Sequence, residues 1–563
     1  MSYNREKQAT EECEFADSPE EYAQLRRVCD DISVDVFLVA VAELAERFTY
    51  RSITAPMQNY IQNPREDPFR PGALGMGQTA ATGINYFFVC WCYMAPILGA
   101  VVADTFLGRF KTIVLATGFA ASGVMTLFVT SLPASLDRGA GMPGLMIALI
   151  LVGLGVGGIK SNVAPLIADQ YGARPERVKT LPSGERVVVD PNITVQTIYA
   201  RYFWVINLGG LSVIPVSWLE LKVDFWAAFM LPLCFWVLAM VALIAGRTRY
   251  VVRPPQGSAI TTAIRVLWIS LRNGGKLDAA RPYALKESET PVPWDDVFVD
   301  ELKRALVACR VFLMFPIFWL CNGQATSNLV SQAMSMNTHG IPNDMMGFCN
   351  PATILIAVPL FETVIFPTLR RFNIRFKPIS RMTTGFFIKA CAIAYAAVLQ
   401  ERTYDQSLRI QPTNRLGPVI YKASPCQRSP EIEGCGETRR GEKISIFLQV
   451  PVYSMIGLSE FFAVLSGMEY AYTKAPQSMR SIVSALFLLM SAIGAGLGIT
   501  LSPVSVDPTV LIEFISLSAV MFVTAIAFFL CFRRYNRAEE DMNKLKEPRS
   551  SSETDDSSRL ERQ

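Results

Sequence analysis

The stretch Val41 to Gln62, VAELAERFTYRSITAPMQNYIQ, decides how the chain must fold. It reads as a membrane helix, yet its first eleven residues contain Glu43, Glu46, Arg47 and Arg51. Counted from Glu43 on a 3.6-residue period, residues 46, 47, 50, 51 and 54 return to one side, so Glu43, Glu46, Arg47, Tyr50, Arg51 and Thr54 form a single polar stripe. Each charge at mid-bilayer costs roughly 2.5–3.5 kcal/mol on insertion scales, so four unpaired charges would strain the helix's placement in the membrane. The stripe must therefore face a wet cavity or other charges. A structural ion-pair cluster is the competing reading, although apolar packing joins helices at lower cost.

The rest of the chain places this helix in a membrane. Of 563 residues, 51% are hydrophobic and only 18% charged, with long apolar runs over nearly the full length, as in a polytopic membrane protein. A net charge of +4 is too small to suggest a nucleic-acid partner. The twelve cysteines are scattered without a Cys-x-x-Cys pair, and the single histidine, His339, has no His or Cys nearby, so no metal or other cofactor is expected. No basic-then-apolar signal opens the chain, and the first spanning helix is expected to act as the insertion signal.

With about 20 apolar residues needed per span, twelve segments fit, near 33–56, 79–103, 112–132, 144–168, 199–219, 225–246, 309–333, 349–371, 381–400, 444–469, 482–505 and 509–532. Segments six and twelve are almost wholly apolar and are expected to face lipid or pack peripherally. The loops after segments two, four, eight and ten carry many cations, Arg109, Lys111, Arg177, Lys179, Arg370, Arg371 and Lys474 among them. The short loops after one, three, five, seven and eleven hold only Arg65, Arg70, Arg138 and Lys222. Positive charge favours the cytoplasm, which predicts both termini there. The expected plan is an all-α integral membrane protein: a cytoplasmic segment 1–32, a six-helix bundle 33–246, a cytoplasmic linker 247–308, a second six-helix bundle 309–532 with an external loop at about 401–443, and a disordered cytoplasmic tail 533–563. The linker reads as a solvated tether. Cys426 and Cys435 in the external loop are candidates for a disulfide. Two six-helix halves joined this way resemble the major facilitator fold, whose site lies between the halves near mid-membrane.

Counterparts of the stripe lie further along. Lys160 sits at membrane depth in GVGGIKSNVAPLIADQY beside glycines that permit close helix approach. Asn207 lies in segment five, Asn322, Gln324 and Asn328 in seven, Asn350 and Glu362 in eight, Glu460 and Glu469 in ten. Cations concentrate in the first half and an acid stands in the second, an asymmetry that suits a zwitterion. Arg47 and Lys160 can bind a carboxylate, while Glu460, Asn350 and Asn207 can receive an ammonium group. Glu43, Glu46 and Glu460 are the groups able to take up a proton. No nucleophile–base pair or metal cluster accompanies them, so an enzyme is the least expected class.

These residues carry a family resemblance. ELAERFTY resembles the E-x-x-E-R-F-x-Y-Y signature of the proton-dependent oligopeptide transporter (POT/PTR) family, and ADTFLGRFKTI, GGIKSNVAPLIADQYG and YFWVINLGGL agree with further family blocks, over residues from about 35 to 535. PMQNYIQN and MEYAYTKAP look like fungal members. The resemblance implies proton-coupled import of di- and tripeptides across the plasma membrane by a protein acting as a monomer, with nitrate, another small metabolite, or a peptide-sensing role as alternatives. It assigns proton coupling to Glu43, Glu46, Arg47, Lys160 and Glu460, with Lys160 paired to a helix-one glutamate. The substrate residues it implies are Arg47, Tyr50, Tyr86, Lys160, Asn207, Gln324, Asn350 and Glu460. Asp104 and Arg109 of the DTFLGR loop become a cytoplasmic gate. Three departures stand out. Arg51 replaces the second tyrosine of the signature and Ser52 the following glycine. Thr54 and Gly323 stand where many members carry the arginine and acid of an extracellular gate, and Tyr86 stands about where mammalian members have a histidine. Arg51 is therefore a candidate for a displaced cation that pairs with an acid, with Glu362 as a weak candidate, or that binds substrate. Snorkelling toward the external face is the bland alternative.

Overall fold

The computed structural model describes residues 25–30, 34–67, 70–171, 177–180, 185–251, 254–255, 257–285, 292–372, 377–409, 444–474, 476 and 479–544. Eleven of its helices are long and apolar enough to cross a membrane. Val34–Gln62, a 29-residue helix carrying the polar stripe, supplies the twelfth, so each expected segment finds its helix. Helices two to twelve are numbered in chain order.

Apolar burial divides the helices into two bundles. Val39, Tyr60, Phe88, Val152 and Trp236 belong to one core, drawn from helices one to six. Phe315, Phe386, Ile456, Phe487 and Phe528 belong to another, drawn from helices seven to twelve. Tyr86 of helix two (Gly77–Val102) crosses over and is buried in the second core. Within the first bundle, a Cβ on Gly157 would meet the Ala95 backbone at 2.5 Å. Glycine here is what brings helix four (Gly141–Lys160, resuming at Val163–Tyr171) onto helix two and sets the position of Lys160.

Several helices are interrupted where polar residues lie. Helix five breaks between Pro191–Gly210 and Val213–Lys222. π-helical turns occupy Ala103–Leu107 at the end of helix two, Phe361–Ile365 in helix eight and Phe461–Leu465 directly after Glu460 in helix ten. Such turns are commonly found at functional sites because they re-aim neighbouring side chains.

Two expectations need correction. The 247–308 connection is not a solvated tether. Ala259–Arg272 is an amphipathic helix whose Ile260, Ala263 and Val266 are buried in the second core, and Trp294 donates its indole N–H to the Ala280 carbonyl at 2.9 Å. Asp296–Ala308, capped by the Asp295 carboxylate on the Phe298 N–H, continues into helix seven to give one span, Asp296–Ser335. Helix twelve is not wholly apolar, because it buries Glu513. The all-α plan holds, with one small sheet outside the bundles: β1 (Arg27–Val28) pairs parallel with β3 (Arg186–Val189), and β2 (Arg177–Thr180) pairs antiparallel with β3. Arg27 pairs with Asp190 at 2.7 Å and Arg177 with Asp30 at 2.8 Å, so the chain before helix one is tied to the connection between helices four and five. Helix nine, Pro378–Arg409, runs into the expected external loop, and helix twelve, Val510–Lys544, into the expected tail. Cys426 and Cys435 lie outside the described residues.

Candidate functional site: a charged cavity between two bundles

Helix one brings its stripe together as the 3.6-residue period requires. Arg47 Nε lies 3.2 Å from Glu46 Oε2 and 3.6 Å from Glu43 Oε1, and both glutamates are almost fully buried. Gly209 of helix five leaves room for Arg47, since a Cβ there would approach the Arg47 Cβ to 2.9 Å. Tyr50 stacks on Phe88 at 5.9 Å. Lys160 departs from the expected pairing. It is outside ion-pair distance of either glutamate, and its Nζ lies 4.0 Å from the Tyr93 ring centroid, with Glu46 and Glu43 acting on it through space.

Above this cluster a cavity of about 330 Å³, part of it open to solvent, lies between the bundles. Arg51 and Thr54 of helix one, Val213 of helix five, Asp344 and Asn350 at the start of helix eight, and Tyr453 of helix ten all line it. Arg51 faces the cavity and, among the described residues, forms no ion pair or hydrogen bond. Glu362 is an exposed residue of a π-helical turn and is not its partner. Asn350 Nδ2 donates to Glu460 Oε1 at 2.9 Å, and Asn207 is buried on helix five. Behind Glu460, on helix nine, Lys389 is fully buried, with Nζ 2.5 Å from Asn322 Oδ1 and 4.5 Å from the Phe318 ring centroid. Glu460 acts on that buried cation through space.

Tyr86 and Gln324 do not line the cavity. Gln324 Nε2 donates to the Tyr86 hydroxyl at 3.1 Å and to Glu513 Oε1 at 2.9 Å, while Tyr86 donates to the Leu320 carbonyl at 3.0 Å. Asn328 and Ser505 donate to Glu513 Oε2 at 2.9 and 2.7 Å, which completes a buried polar network between helices two, seven and twelve. The missing gate pair now has a steric cause. Any side chain at Gly323 would overlap the Tyr86 ring, and Thr54 turns back to donate to the Tyr50 carbonyl at 2.9 Å. Closure at this end comes instead from amides: Gln58 Nε2 donates to Ser331 Oγ at 3.1 Å, Ser331 Oγ to Gln62 Oε1 at 2.7 Å, and Asn59 and Asn343 exchange two bonds of 2.9 Å. At the opposite end Asp104 lies in the π-helical turn before Arg109, and its carbonyl accepts from the Gly257 N–H at 2.9 Å. The linker is thereby joined to the gate motif.

Lys389, Glu513, Glu220 and Asp344 are functional candidates that the sequence reading missed. Lys389 and Glu513 are lone ionisable groups within apolar runs, which is itself the available signal, as in FFIKACAIAY around Lys389, whereas Glu220 and Asp344 lie near helix ends and carry no such signal.

Two six-helix bundles around a cavity lined by Arg51 from one and by Asp344 and Asn350 from the other define a membrane carrier of the major facilitator type. The POT family (PTR2) pattern matches residues 110–521. The chain is 43% identical over 528 residues to peptide transporter PTR_C of Candidozyma auris, covering 94% of this chain and 89% of that one. It is 40% identical over 527 residues to peptide transporter PTR2 of Saccharomyces cerevisiae, covering 93% and 83%. Among solved structures, the POT family transporter PepTSo superposes with a TM-score of 0.67 at 18% identity, covering 90% of this chain and 99% of that one. The chain belongs to the POT family.

Proposed function

We propose that this chain is a proton-coupled symporter that imports di- and tripeptides across the plasma membrane by alternating access, acting as a monomer with both termini in the cytoplasm. The reading rests on the charge asymmetry of the two bundles: Arg51 lines the cavity from the first bundle, on the same helix as Arg47 and with Lys160 in the same bundle, and Asn350, bonded to Glu460, lines it from the second. A peptide carries its carboxylate and ammonium groups a few ångströms apart, and this arrangement meets one with cations and the other with a carboxylate. Glu46, whose two oxygens accept no hydrogen bond, and Glu43 beside Arg47 are the coupling carboxyls. Protonation there loosens the hold on Arg47 and frees it for the peptide carboxylate. Asp104 and Arg109 act at the cytoplasmic gate. A membrane potential of about 100 mV contributes roughly 2.3 kcal/mol per proton, nearly two decades of accumulation before any pH gradient.

Uptake of a radiolabelled dipeptide into proteoliposomes under an imposed inward proton gradient tests the reading. Accumulation that collapses with a protonophore supports it. Absence of uptake at every pH, with another solute carried, overturns it. The unpartnered Arg51 favours one alternative cargo, a small anion such as nitrate, and competition by nitrate in the same assay decides between them.

A further inference from the structure

At the end of the cavity closed by amides, two acids from opposite bundles meet. Glu220, on the last turn of helix five, is 4% exposed, and Asp344, just before helix eight, is 2% exposed. Asn59 Nδ2 donates to Glu220 Oε1 at 2.7 Å, and Ser217 Oγ donates to Asp344 Oδ2 at 2.5 Å. The remaining oxygens, Glu220 Oε2 and Asp344 Oδ1, are buried and receive no donor from any other group. Ser217 stands one turn before Glu220 on helix five, and Asn343, bonded twice to Asn59, directly precedes Asp344, so the two carboxyl groups share one buried niche together with their unmatched oxygens.

Two ionised carboxylates in one buried niche repel each other, whereas a proton on one of them lets it donate to the unmatched oxygen of the other. The surroundings offer no substitute. Among the described residues no cation lies within ion-pair distance of either acid. Asn59, Asn343 and Ser217 are neutral, and the other titratable groups nearby are Cys349 of helix eight and Tyr453 of helix ten, with Tyr60, next to Asn59 on helix one, buried in the first core. Arg51 shares the cavity wall without bonding Asp344. Lys222 is exposed, its Nζ over the Trp218 ring at 5.8 Å.

We propose that Glu220 and Asp344 form a proton-sharing carboxyl pair across the two bundles: one proton between them holds this end of the cavity shut, its departure drives them apart, and the pair is a proton-binding site of the transport cycle. The proposal rests on the symport reading and orientation above, which place this end outside. A proton entering from outside lets the acids meet and the gate close. Asp344 lines the cavity, so once the other end opens the proton leaves into the cavity toward the cytoplasm. The two carboxylates then repel, and the gate reopens outward without cargo. Gate and proton site are one device, built where the arginine–acid gate of other members is absent.

The test compares proton-driven accumulation of a dipeptide with its counterflow in proteoliposomes for wild type, Glu220→Gln and Asp344→Asn, with peptide binding to purified protein as the check on folding. An inward gradient of one pH unit supports about tenfold accumulation when one proton accompanies each peptide. Both variants are expected to lose that tenfold in the ratio of accumulation to counterflow. An unchanged ratio, or loss of both fluxes with peptide binding intact, overturns the proposal. Should the variants fail to bind peptide, labelling of the wild type with a hydrophobic carbodiimide, which attacks protonated buried carboxyls, decides: modification of Glu220 or Asp344 at acid pH that fades at alkaline pH supports the pair, and no modification at either pH overturns it. Wild type that carries no peptide yet labels in this way sinks the transport reading and leaves the pair standing.

Discussion

Asn350 donates its side-chain N–H to Glu460 at 2.9 Å, and this bond links helices eight and ten at the cavity edge. The bond takes one carboxylate oxygen, and on the proposed reading the other receives the ammonium group of the peptide. Glu460→Gln is therefore expected to weaken peptides with a free amino terminus by about tenfold or more, the loss typical of one charge-assisted hydrogen bond. Competition assays with amino-blocked analogues check this, and equal losses for blocked and free peptides would count against the assignment.

Lys160 lies over Tyr93 and within electrostatic reach of Glu43 and Glu46 without pairing to either. Lys160→Ala should abolish proton-driven accumulation while the protein still reaches the membrane. Normal accumulation in proteoliposomes would remove Lys160 from the coupling mechanism.

Arg51 faces the cavity without a partner among the described residues. Arg51→Gln is expected to reduce affinity about tenfold for peptides with a free carboxylate and to spare their carboxamides, since a charged hydrogen bond contributes about 1.5–3 kcal/mol. Identical inhibition constants for the two series in wild type and variant would place Arg51 outside the binding site.

The space above Gly323 is filled by the Tyr86 ring. Gly323→Ala should lower thermal stability by about 1–3 kcal/mol through overpacking. Combining it with Tyr86→Ala should cost less than the sum of the two single changes. Additivity of the two would show that the residues do not compete for one space.

Glu513 accepts hydrogen bonds from Gln324, Asn328 and Ser505. Glu513→Ala leaves three donors unmatched in an apolar bundle, so a loss of about 3 kcal/mol or more is expected, and Glu513→Gln should lose less because one oxygen still accepts. Unfolding midpoints of the purified variants measure both.

The membrane helices were legible because their apolar length is a local property, and the polar stripe of helix one because its period is. The linker was misread through its charge: RYVVRPPQGS looks solvated, but AITTAIRVLWISLR a few residues later carries a helical apolar face that covers the second core. Glu43, Glu46 and Arg47 could be placed from their spacing alone. The partners of Glu513, Lys389 and Asp344 could not, because each bond joins residues from different helices and depends on how those helices pack. Tyr86 and Gln324 were expected in the cavity for the same reason, and packing turned Gln324 toward Glu513 of helix twelve and Tyr86 onto helix seven.

The short β1 strand has a mechanical consequence. Arg27 and Val28 are in register with Val188 and Val189, and Asp30 grips Arg177, so the leading end of helix one and the chain between helices four and five form one stitched unit. Sliding helix one along its axis past helix four would tear that stitching. Glu46 and Lys160 are then expected to travel together, so that a change in their electrostatic contact during the cycle comes from side-chain rotation rather than helix translation.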